Sequence, residues 1–347
     1  MKMLTSTQRV EYAISLKEPD VVPIAIIGVN FNFAYCGIPI GEATSNPDLQ
    51  AKAHLKVFED FRPDIVYAIL VPPIISEAYG SKVKVLVSGY IAVEKPCLTS
   101  RSDLDKLEKV SLLDNVKIKA GIKAVNIVKN SIGEQAPVMS GFESSFTTAI
   151  RIMGAEKLML SLYDDPSFVH DALKLITDDL CELAEELVNA GSDMLFIADP
   201  AASSSMISPK HYREFALPYE KRLIQKAEQL GARTTLHICG DTTNLMADIA
   251  SIKPSIFSFD QKVKPKTAKE LLGKYCCLMG NIDPTLLLTG SKEEIERAVA
   301  ICITEAAVNG GFILAPGCGI ATKTPPQNLQ AMINSARTIG IYPIKTS

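Results

Sequence analysis

The chain has 347 residues, of which 22% are charged and 47% apolar, and its 36 basic and 39 acidic residues leave a net charge of −3. This composition excludes a disordered chain and is typical of a globular protein with a large core. A slightly acidic chain without a long basic run or an apolar stretch of roughly 18 residues is a poor candidate for binding nucleic acid or spanning a membrane, so we expect a cytoplasmic protein.

Helical patterns alternate with short β-branched runs along the chain. Residues 166–190 and 209–230 have the periodicity of amphipathic helices, and the second opens on the pair Ser208-Pro209. Ser291 and Glu294 have the spacing of a capping box and predict a further helix start. The β-branched runs predict eight strands, at 22–27, 64–69, 136–141, 193–199, 234–240, 256–260, 277–282 and 312–316.

Eight alternating strand–helix units predict a (β/α)8 barrel, which we expect to form one domain over residues 1–347. An open doubly wound sheet is the rival fold. It would usually carry a glycine-rich phosphate loop, and GxGxxG does not occur in this sequence. Residues 83–94 read as a small hairpin, which we interpret as an insertion after the second strand.

Polar residues follow the ends of several predicted strands, which is where barrel enzymes place their active sites. By this position Glu143, Asp199 and Asn281 are candidate substrate-binding residues. Each of them would equally serve to cap the next helix or to satisfy a loop. The remaining strand-end residues form a more specific pattern, and they are His237, Cys239, Asp260 and Cys318.

His237 and Cys239 lie two residues apart on a predicted strand, so their side chains point to the same face. Cys318 follows the eighth strand between two glycines, and a barrel mouth is narrow enough for strand ends to converge. Two thiolates and one imidazole suit Zn²⁺, and three protein ligands leave a fourth position for a water or a substrate, as in catalytic zinc sites. Asp260 is the candidate for that position in the resting state. Ordinary strand residues and a tight turn would also fit this spacing, which alone leaves the metal site undecided.

A zinc site with two thiolates is electron-rich and is a weaker Lewis acid for hydrolysis than a three-histidine site. It still binds an incoming thiol and keeps it as the thiolate at neutral pH. Because the thiolate is the nucleophile, the residues predict a zinc enzyme that alkylates a substrate thiol.

Nearly the whole chain resembles the uroporphyrinogen decarboxylase superfamily, and within it the corrinoid-dependent methyltransferases of the methylcobamide:coenzyme M type. Many of the matching segments are shared by the whole superfamily, whereas His237, Cys239 and Cys318 match the H-x-C…C zinc signature of the methyltransferase branch. The matching segments include 18–23 (EPDVVP), 214–219 (EFALPY), 236–241 (LHICGD), 279–284 (MGNIDP) and 311–320 (GFILAPGCGI).

The resemblance implies a barrel in which His237, Cys239 and Cys318 hold zinc, with Asp260 in the place of the family's acidic fourth ligand. It implies that the zinc binds coenzyme M through its thiol. The thiolate would take the methyl group of a methylcob(III)amide carried by a corrinoid protein, and cob(I)amide would leave. Zinc, a corrinoid on a partner protein and a small thiol are thus the implied cofactors and partners, in methanogenesis or one-carbon metabolism.

Several alternatives stay open. The N-terminal third has no sulfonate-binding signature that we can identify, so tetrahydrofolate or homocysteine is an alternative acceptor. Methyl transfer from a folate to homocysteine and a non-catalytic barrel with a structural zinc are further hypotheses, although a structural site would be closed by four ligands. The decarboxylase branch fits less well, because its Arg-Gln-Ala-Gly-Arg segment is missing and Val71 stands where those enzymes carry their key aspartate.

Overall fold

Seven parallel strands form one curled sheet and two more form a hairpin in the computed structural model, which describes residues 3–344. The strands are β1 (Val66–Tyr67), β2 (Lys82–Val85), β3 (Ile91–Lys95), β4 (Val138–Glu143), β5 (Met194–Ala198), β6 (Arg233–Ile238), β7 (Ile256–Phe259), β8 (Cys277–Ile282) and β9 (Phe312–Pro316). The order in the large sheet is β1-β4-β5-β6-β7-β8-β9. Every neighbouring pair in it is parallel, as helical crossovers between the strands require.

The first predicted strand closes this sheet into a barrel. Ile24 forms a parallel bridge with Leu314 of β9, and Ala25 forms one with Ile65 beside β1. The backbone N–H of Ala25 donates to Leu314 O at 2.9 Å, and that of Asp64 donates to Ile24 O at 2.7 Å. The eight-stranded α/β barrel predicted from the sequence is therefore confirmed.

The first strand is shorter than the predicted 22–27. Only isolated bridges occur there, because Pro23 has no N–H to offer a neighbouring strand and Gly28 already precedes the next helix. Pairing on both sides is thus confined to Ile24 and Ala25.

Helices fill the connections between the strands. The helix predicted over 166–190 is confirmed, and the capping box at Ser291 is present, with Ser291 Oγ accepting from Glu294 N at 3.3 Å. No helix in the described part of the chain has the length and apolarity of a membrane span. The helices are α1 (Ser6–Ile14), α2 (Val29–Tyr35), α3 (Ile40–Ala43), α4 (Pro47–Phe61), α5 (Ile74–Ala78), α6 (Leu104–Leu107), α7 (Val116–Ile132), α8 (Ser145–Met153), α9 (Ala155–Asp164), α10 (Pro166–Asn189), α11 (Pro209–His211), α12 (Leu217–Gln229), α13 (Met246–Ile252), α14 (Pro265–Leu272), α15 (Pro284–Thr289), α16 (Lys292–Cys302) and α17 (Pro326–Ile339).

The single helix predicted over 209–230 is wrong in one respect. A π-helical turn, Tyr212–Ala216, separates α11 from α12. Pro218 lies in the first turn of α12 and has no N–H to bond to the carbonyl four residues earlier, so the chain accommodates the missing bond by widening the preceding turn. The consequence is local, and the helix continues to Gln229.

The hairpin predicted over 83–94 is present as the antiparallel pair β2–β3, which follows β1 in the chain. Its turn rests on the loop after β9, where Thr322 Oγ1 donates to Ser88 O at 3.2 Å. The hairpin therefore lies at the end of the barrel where the strands finish.

Asp64 joins the beginning, the closure point and the end of the chain. Its fully buried carboxylate accepts from the guanidinium of Arg9 at 2.6 Å, that of Arg337 at 2.8 Å and the hydroxyl of Ser6 at 3.0 Å. It also accepts from the backbone N–H of Ile24 at 2.9 Å. One carboxylate thus holds α1 and α17 against the strand that closes the barrel.

We predict that Asp64→Ala will lower the free energy of unfolding by about 3–5 kcal/mol, because two arginines lose a buried partner. Asp64→Asn, which keeps an acceptor for Ile24, should lose less. The measurement is urea unfolding, with Glu296→Ala as the control because its pair with Lys292 is solvent-exposed. Equal unfolding midpoints for Asp64→Ala and the control would refute the anchoring role of Asp64.

Candidate metal centre

His237 sits on β6 between two neighbours that fix its ring. The ring stacks on Phe196 of β5 with centroids 5.7 Å apart. On the other side Nδ1 lies 3.1 Å from Ser258 O and 3.2 Å from Ser258 Oγ on β7. Since a carbonyl oxygen only accepts, Nδ1 carries the proton, and the lone pair of Nε2 is left for another partner.

Two glycines let the cysteines reach the same place. Gly240 follows Cys239 with a φ of +80°, and a Cβ there would lie 2.6 Å from Ser203 Oγ. Gly317 precedes Cys318, and a Cβ there would lie 2.6 Å from the backbone N of Gln261. A side chain at either position would push the cysteine loops away from the neighbouring loops that follow β5 and β7.

His237, Cys239 and Cys318 converge on one point, as the sequence predicted for a metal site. Their three ligand atoms all lie within 4.8 Å of one another. Cys239 Sγ is 3.3 Å from His237 Nε2 and 3.7 Å from Cys318 Sγ. A tetrahedral zinc with Zn–S bonds of about 2.3 Å separates two thiolates by about 3.8 Å, so the donor set fits this ion.

The two thiols have opposite protonation tendencies. The hydrogen bond from Cys239, together with the neighbouring His237, lowers the pKa of Cys318 to about 4. The same hydrogen bond, together with burial, raises the pKa of Cys239. Burial alone would lower the pKa of His237, but the bond to Cys318 and its negative charge raise it. The cluster thus concentrates negative charge on Cys318, which a cation would neutralise.

Asp260 does not join this group of three. It is buried, and its Oδ1 accepts from the backbone N–H of Lys262 at 2.8 Å. Its charge nevertheless raises the pKa of both His237 and Cys239. Its role as a fourth ligand stays a prediction, and the geometry leaves one side of the three donors open.

That open side faces a cavity of about 300 Å³. Most of its wall is apolar or aromatic, including Tyr67, Ile69 and Phe196, and the hairpin contributes Tyr90 and Ile91. One carboxylate and one guanidinium also line the cavity, those of Glu143 and Arg151. They form an ion pair, with Glu143 Oε1 2.5 Å from Arg151 Nη2. The cavity therefore combines soft metal donors with one ion pair.

Asp199 lies behind the cavity wall rather than in it. Its Oδ1 accepts from Thr147 N at 3.0 Å and from Thr147 Oγ1 at 2.6 Å. Its Oδ2 and the Oε1 of the neighbouring Glu220 are both buried without a hydrogen-bond donor among the described residues. Glu220 Oε2 accepts from Tyr212 Oη at 2.6 Å. Burial raises the pKa of Asp199 to about 6, and burial and the charge of Asp199 raise that of Glu220 further, so the two fully buried carboxyls share a proton.

The side chain of Asn281 also makes its hydrogen bonds to other parts of the protein. Its Nδ2 donates to Asp260 O at 3.0 Å and to Val263 O at 2.6 Å, and it is absent from the cavity lining. Of the three expected substrate-binding residues, only Glu143 reaches the cavity, and the positions of the other two give them internal hydrogen-bonding roles.

The sequence analysis did not single out Ser258, Arg151 or Tyr90. Ser258 could have been found from the strand register, because it pairs directly with His237. Arg151 is the sole charged residue of α8, whose other residues are mostly buried. That isolated charge was the available signal. No local sequence pattern indicates that Tyr90 lines the cavity, because the position of the hairpin over the cavity depends on the tertiary structure.

A second groove, of about 520 Å³, lies at the opposite end of the barrel, where β5 and β6 begin. Its charged residues are already paired, Lys129 with Asp193 and Arg233 with Glu11. None of the three metal donors lines it. The groove with the larger volume is therefore not the one that contains the metal donors.

Known proteins resemble this chain over most of its length. The family description "Uroporphyrinogen decarboxylase (URO-D)" matches residues 5–339. The methylcobamide:CoM methyltransferase MtbA of Methanosarcina mazei is 34% identical over 247 residues, 71% of each chain. MtaA of Methanosarcina barkeri is 28% identical over 343 residues, 96% of this chain and 98% of that one. A solved "methyltransferase from Methanosarcina mazei" matches with a TM-score of 0.87 at 26% identity, covering 96% and 98% of the two chains.

The barrel and the converging strand-end donors define an α/β-barrel enzyme of the uroporphyrinogen decarboxylase family, and the chain belongs to that family. Within the family it belongs to the methyltransferase branch, as the sequence resemblance predicted.

We predict that Glu220→Gln will fold with nearly normal stability, because an amide can still donate to Asp199 and accept from Tyr212. Glu220→Leu should lose about 1–3 kcal/mol, because Tyr212 Oη loses its acceptor and the Oδ2 of Asp199 is left buried beside an apolar side chain. Urea unfolding at neutral pH measures the difference. If Glu220→Gln and Glu220→Leu lose the same free energy of unfolding, the site requires a side chain of this shape and not the hydrogen bonds of Glu220.

Proposed function

We propose that this protein transfers a methyl group from a methylated corrinoid, carried by a partner protein, to a small thiol activated by zinc. Coenzyme M is the acceptor named in the relatives, and it is the acceptor we propose here. The proposal rests above all on one observation, the convergence of His237, Cys239 and Cys318 on the open wall of a cavity.

Zinc would be held by the Nε2 atom of His237 and the sulfurs of Cys239 and Cys318. When bound, it supplies a positive centre that keeps an incoming thiol as its nucleophilic thiolate at neutral pH. The donor chemistry supports this choice of metal, since two sulfurs and one imidazole nitrogen are ligands that zinc prefers.

The chain's own residues prepare the donors. Ser258 O accepts from the Nδ1–H of His237, which fixes the ring and keeps Nε2 available. Phe196 stacks on the histidine ring and Tyr67 packs edge-on against Phe196, so the histidine has an aromatic neighbourhood. The hydrogen bond from Cys239 lowers the pKa of Cys318, which favours the thiolate form that a metal ligand needs.

A methylcorrinoid is too large for a cavity of about 300 Å³, so its methyl group must be presented at the mouth by the protein that carries it. In the transfer a sulfur–carbon bond forms and the cobalt–carbon bond breaks. The electron pair of the broken bond stays with cobalt, and the thiol proton is released to solvent. The cavity then needs to hold only the small acceptor.

The alternative acceptors differ in how well they suit this cavity. Homocysteine is a small thiol and suits the same donors. Tetrahydrofolate is much larger and offers a nitrogen nucleophile, for which a zinc with two thiolates brings no activation of this kind. A decarboxylase role is less favoured, because Val71 is buried and supplies no carboxylate.

We predict that the purified protein, prepared without chelators, contains about one zinc per chain and that Cys318→Ala loses or loosens it. With methylcobalamin and coenzyme M, the variant should fall to the uncatalysed rate, because the donor set is incomplete. Metal analysis and the absorbance change on demethylation of the cobalamin provide the two measurements.

Cys181→Ala is the matched control, since Cys181 is a partly buried cysteine of α10 outside the metal group. It should keep both zinc and activity. A wild-type protein that takes up no zinc would end the thiolate proposal. A Cys318→Ala variant that keeps zinc and full activity would remove Cys318 from the site.

A further inference from the structure

We infer that Arg151 binds an anionic tail of the methyl acceptor and thereby selects short thiols that end in a sulfonate or carboxylate. This inference rests on the proposed function, because it concerns the far end of the molecule whose sulfur lies at the metal donors. It assigns a role to a residue that the sequence pattern did not indicate.

The cavity itself limits the recognition to a few groups. Its walls are apolar or aromatic over most of their extent, and a thiol that was apolar throughout would need no charge there. Among the described residues that line it, the guanidinium of Arg151 is the one permanent cation. Placing an arginine in a largely apolar cavity is costly unless a partner compensates it.

Glu143 supplies only part of that compensation. One of its oxygens accepts from Nη2 of Arg151 at 2.5 Å, while Nε has no hydrogen-bond partner. A guanidinium has five N–H donors, so a single bond leaves most of its capacity unused. Glu143 therefore orients Arg151 without saturating it.

The exposed fractions of the Arg151 and Glu143 side chains indicate that a ligand bound here carries a negative charge. The side chain of Arg151 is 30% exposed, whereas that of Glu143 is 7% exposed. Both side chains line the cavity, and the guanidinium is the more exposed of the two, so it offers more free surface to a molecule that enters. An anionic group can bind the planar guanidinium through two parallel hydrogen bonds, a geometry that suits carboxylates and related oxyanions.

The position of Arg151 also sets the length of the acceptor. The metal donors and the guanidinium line one cavity of about 300 Å³, at fixed positions on β6, the loop after β9 and α8. A thiol whose chain is too short or too long cannot place its sulfur and its anion together. The rate should therefore pass through a maximum as the carbon chain of the acceptor lengthens.

The test compares thiols that differ only in the tail, with methylcobalamin as donor and the zinc-loaded enzyme. 2-Mercaptoethanesulfonate and 3-mercaptopropionate carry the two anions, and 2-mercaptoethanol is neutral. We expect the KM of the better anionic thiol to lie about 10- to 100-fold below that of the neutral one, the range expected for hydrogen bonds to a charged group. The anion with the lower KM identifies the natural tail, and a series of mercapto acids with longer chains tests the optimum length.

Arg151→Gln should raise the KM of both anionic thiols to that of 2-mercaptoethanol, so that the preference for an anionic tail is lost. Because Glu143 is left without its partner in that variant, the double variant Glu143→Gln/Arg151→Gln should show the same loss of preference in a cavity without an unpaired charge. Arg101→Gln is the control, since Arg101 pairs with Asp165 and Asp171 on the outside of the protein.

A binding measurement separates failure of this inference from failure of the proposed function. Calorimetry with 2-(methylthio)ethanesulfonate and its neutral alcohol analogue needs neither a thiol nor turnover. Preferential binding of the sulfonate that disappears in Arg151→Gln supports the inference even if no thiol is methylated, a result that would overturn only the proposed function. Equal use or equal binding of charged and neutral compounds by the wild type would overturn the inference while methyl transfer stands.

Discussion

The closure of the parallel sheet is the constraint on which the site depends. Cys318 follows β9 and His237 lies on β6, so they meet only because the sheet curls until β9 and β1 share one neighbour. That neighbour is a segment of two residues, Ile24 and Ala25, which bridges both edges. Such a short strand contributes few hydrogen bonds, and the buried carboxylate of Asp64 reinforces it by fixing α1, α17 and Ile24 N together. The metal donors thus depend on an ion cluster at the other end of the same strands.

Within the closed barrel, the positions of the metal donors His237, Cys239 and Cys318 are set mainly by backbone geometry. The strand register sets His237 opposite Ser258, and the carbonyl of Ser258 then fixes which ring nitrogen carries the proton. Close backbone approach at Gly240 and Gly317 brings the two thiols within 3.7 Å of each other. Two sulfurs and a histidine at this distance share their protons unevenly, and the negative charge gathers on Cys318. A divalent cation is the natural complement of such a cluster, because it replaces protons that the three groups hold in competition.

The sequence predicts those parts of the molecule that follow from local pattern. Alternating strands and helices indicate the barrel, and the two-residue spacing of His237 and Cys239 indicates a shared face. Capping boxes and strand-end positions are equally local. The π-helical turn before Pro218 was not predicted, because the proline lies in a helical pattern that continues on both sides of it. Asp199 and Asn281 were expected at the substrate, yet their hydrogen bonds run to Thr147 and to the backbone after β7. Strand-end position alone cannot distinguish a side chain that faces the cavity from one that faces the helix behind it.

The cavity brings together two kinds of polar chemistry that need different surroundings. At the metal donors, soft sulfurs lie beside Phe196 and Tyr67, and low polarity there strengthens the interaction of a thiolate with a cation. At the other polar group, a guanidinium keeps part of its surface open and is held by a carboxylate that is almost fully covered. A small acceptor that spans both groups would place its nucleophilic sulfur in the apolar region and its charge in the region built for ions. Because soft sulfur donors and a charged pair line the same otherwise largely apolar cavity, the two ends of such an acceptor would each have a different preferred partner, which would give the acceptor one direction of binding.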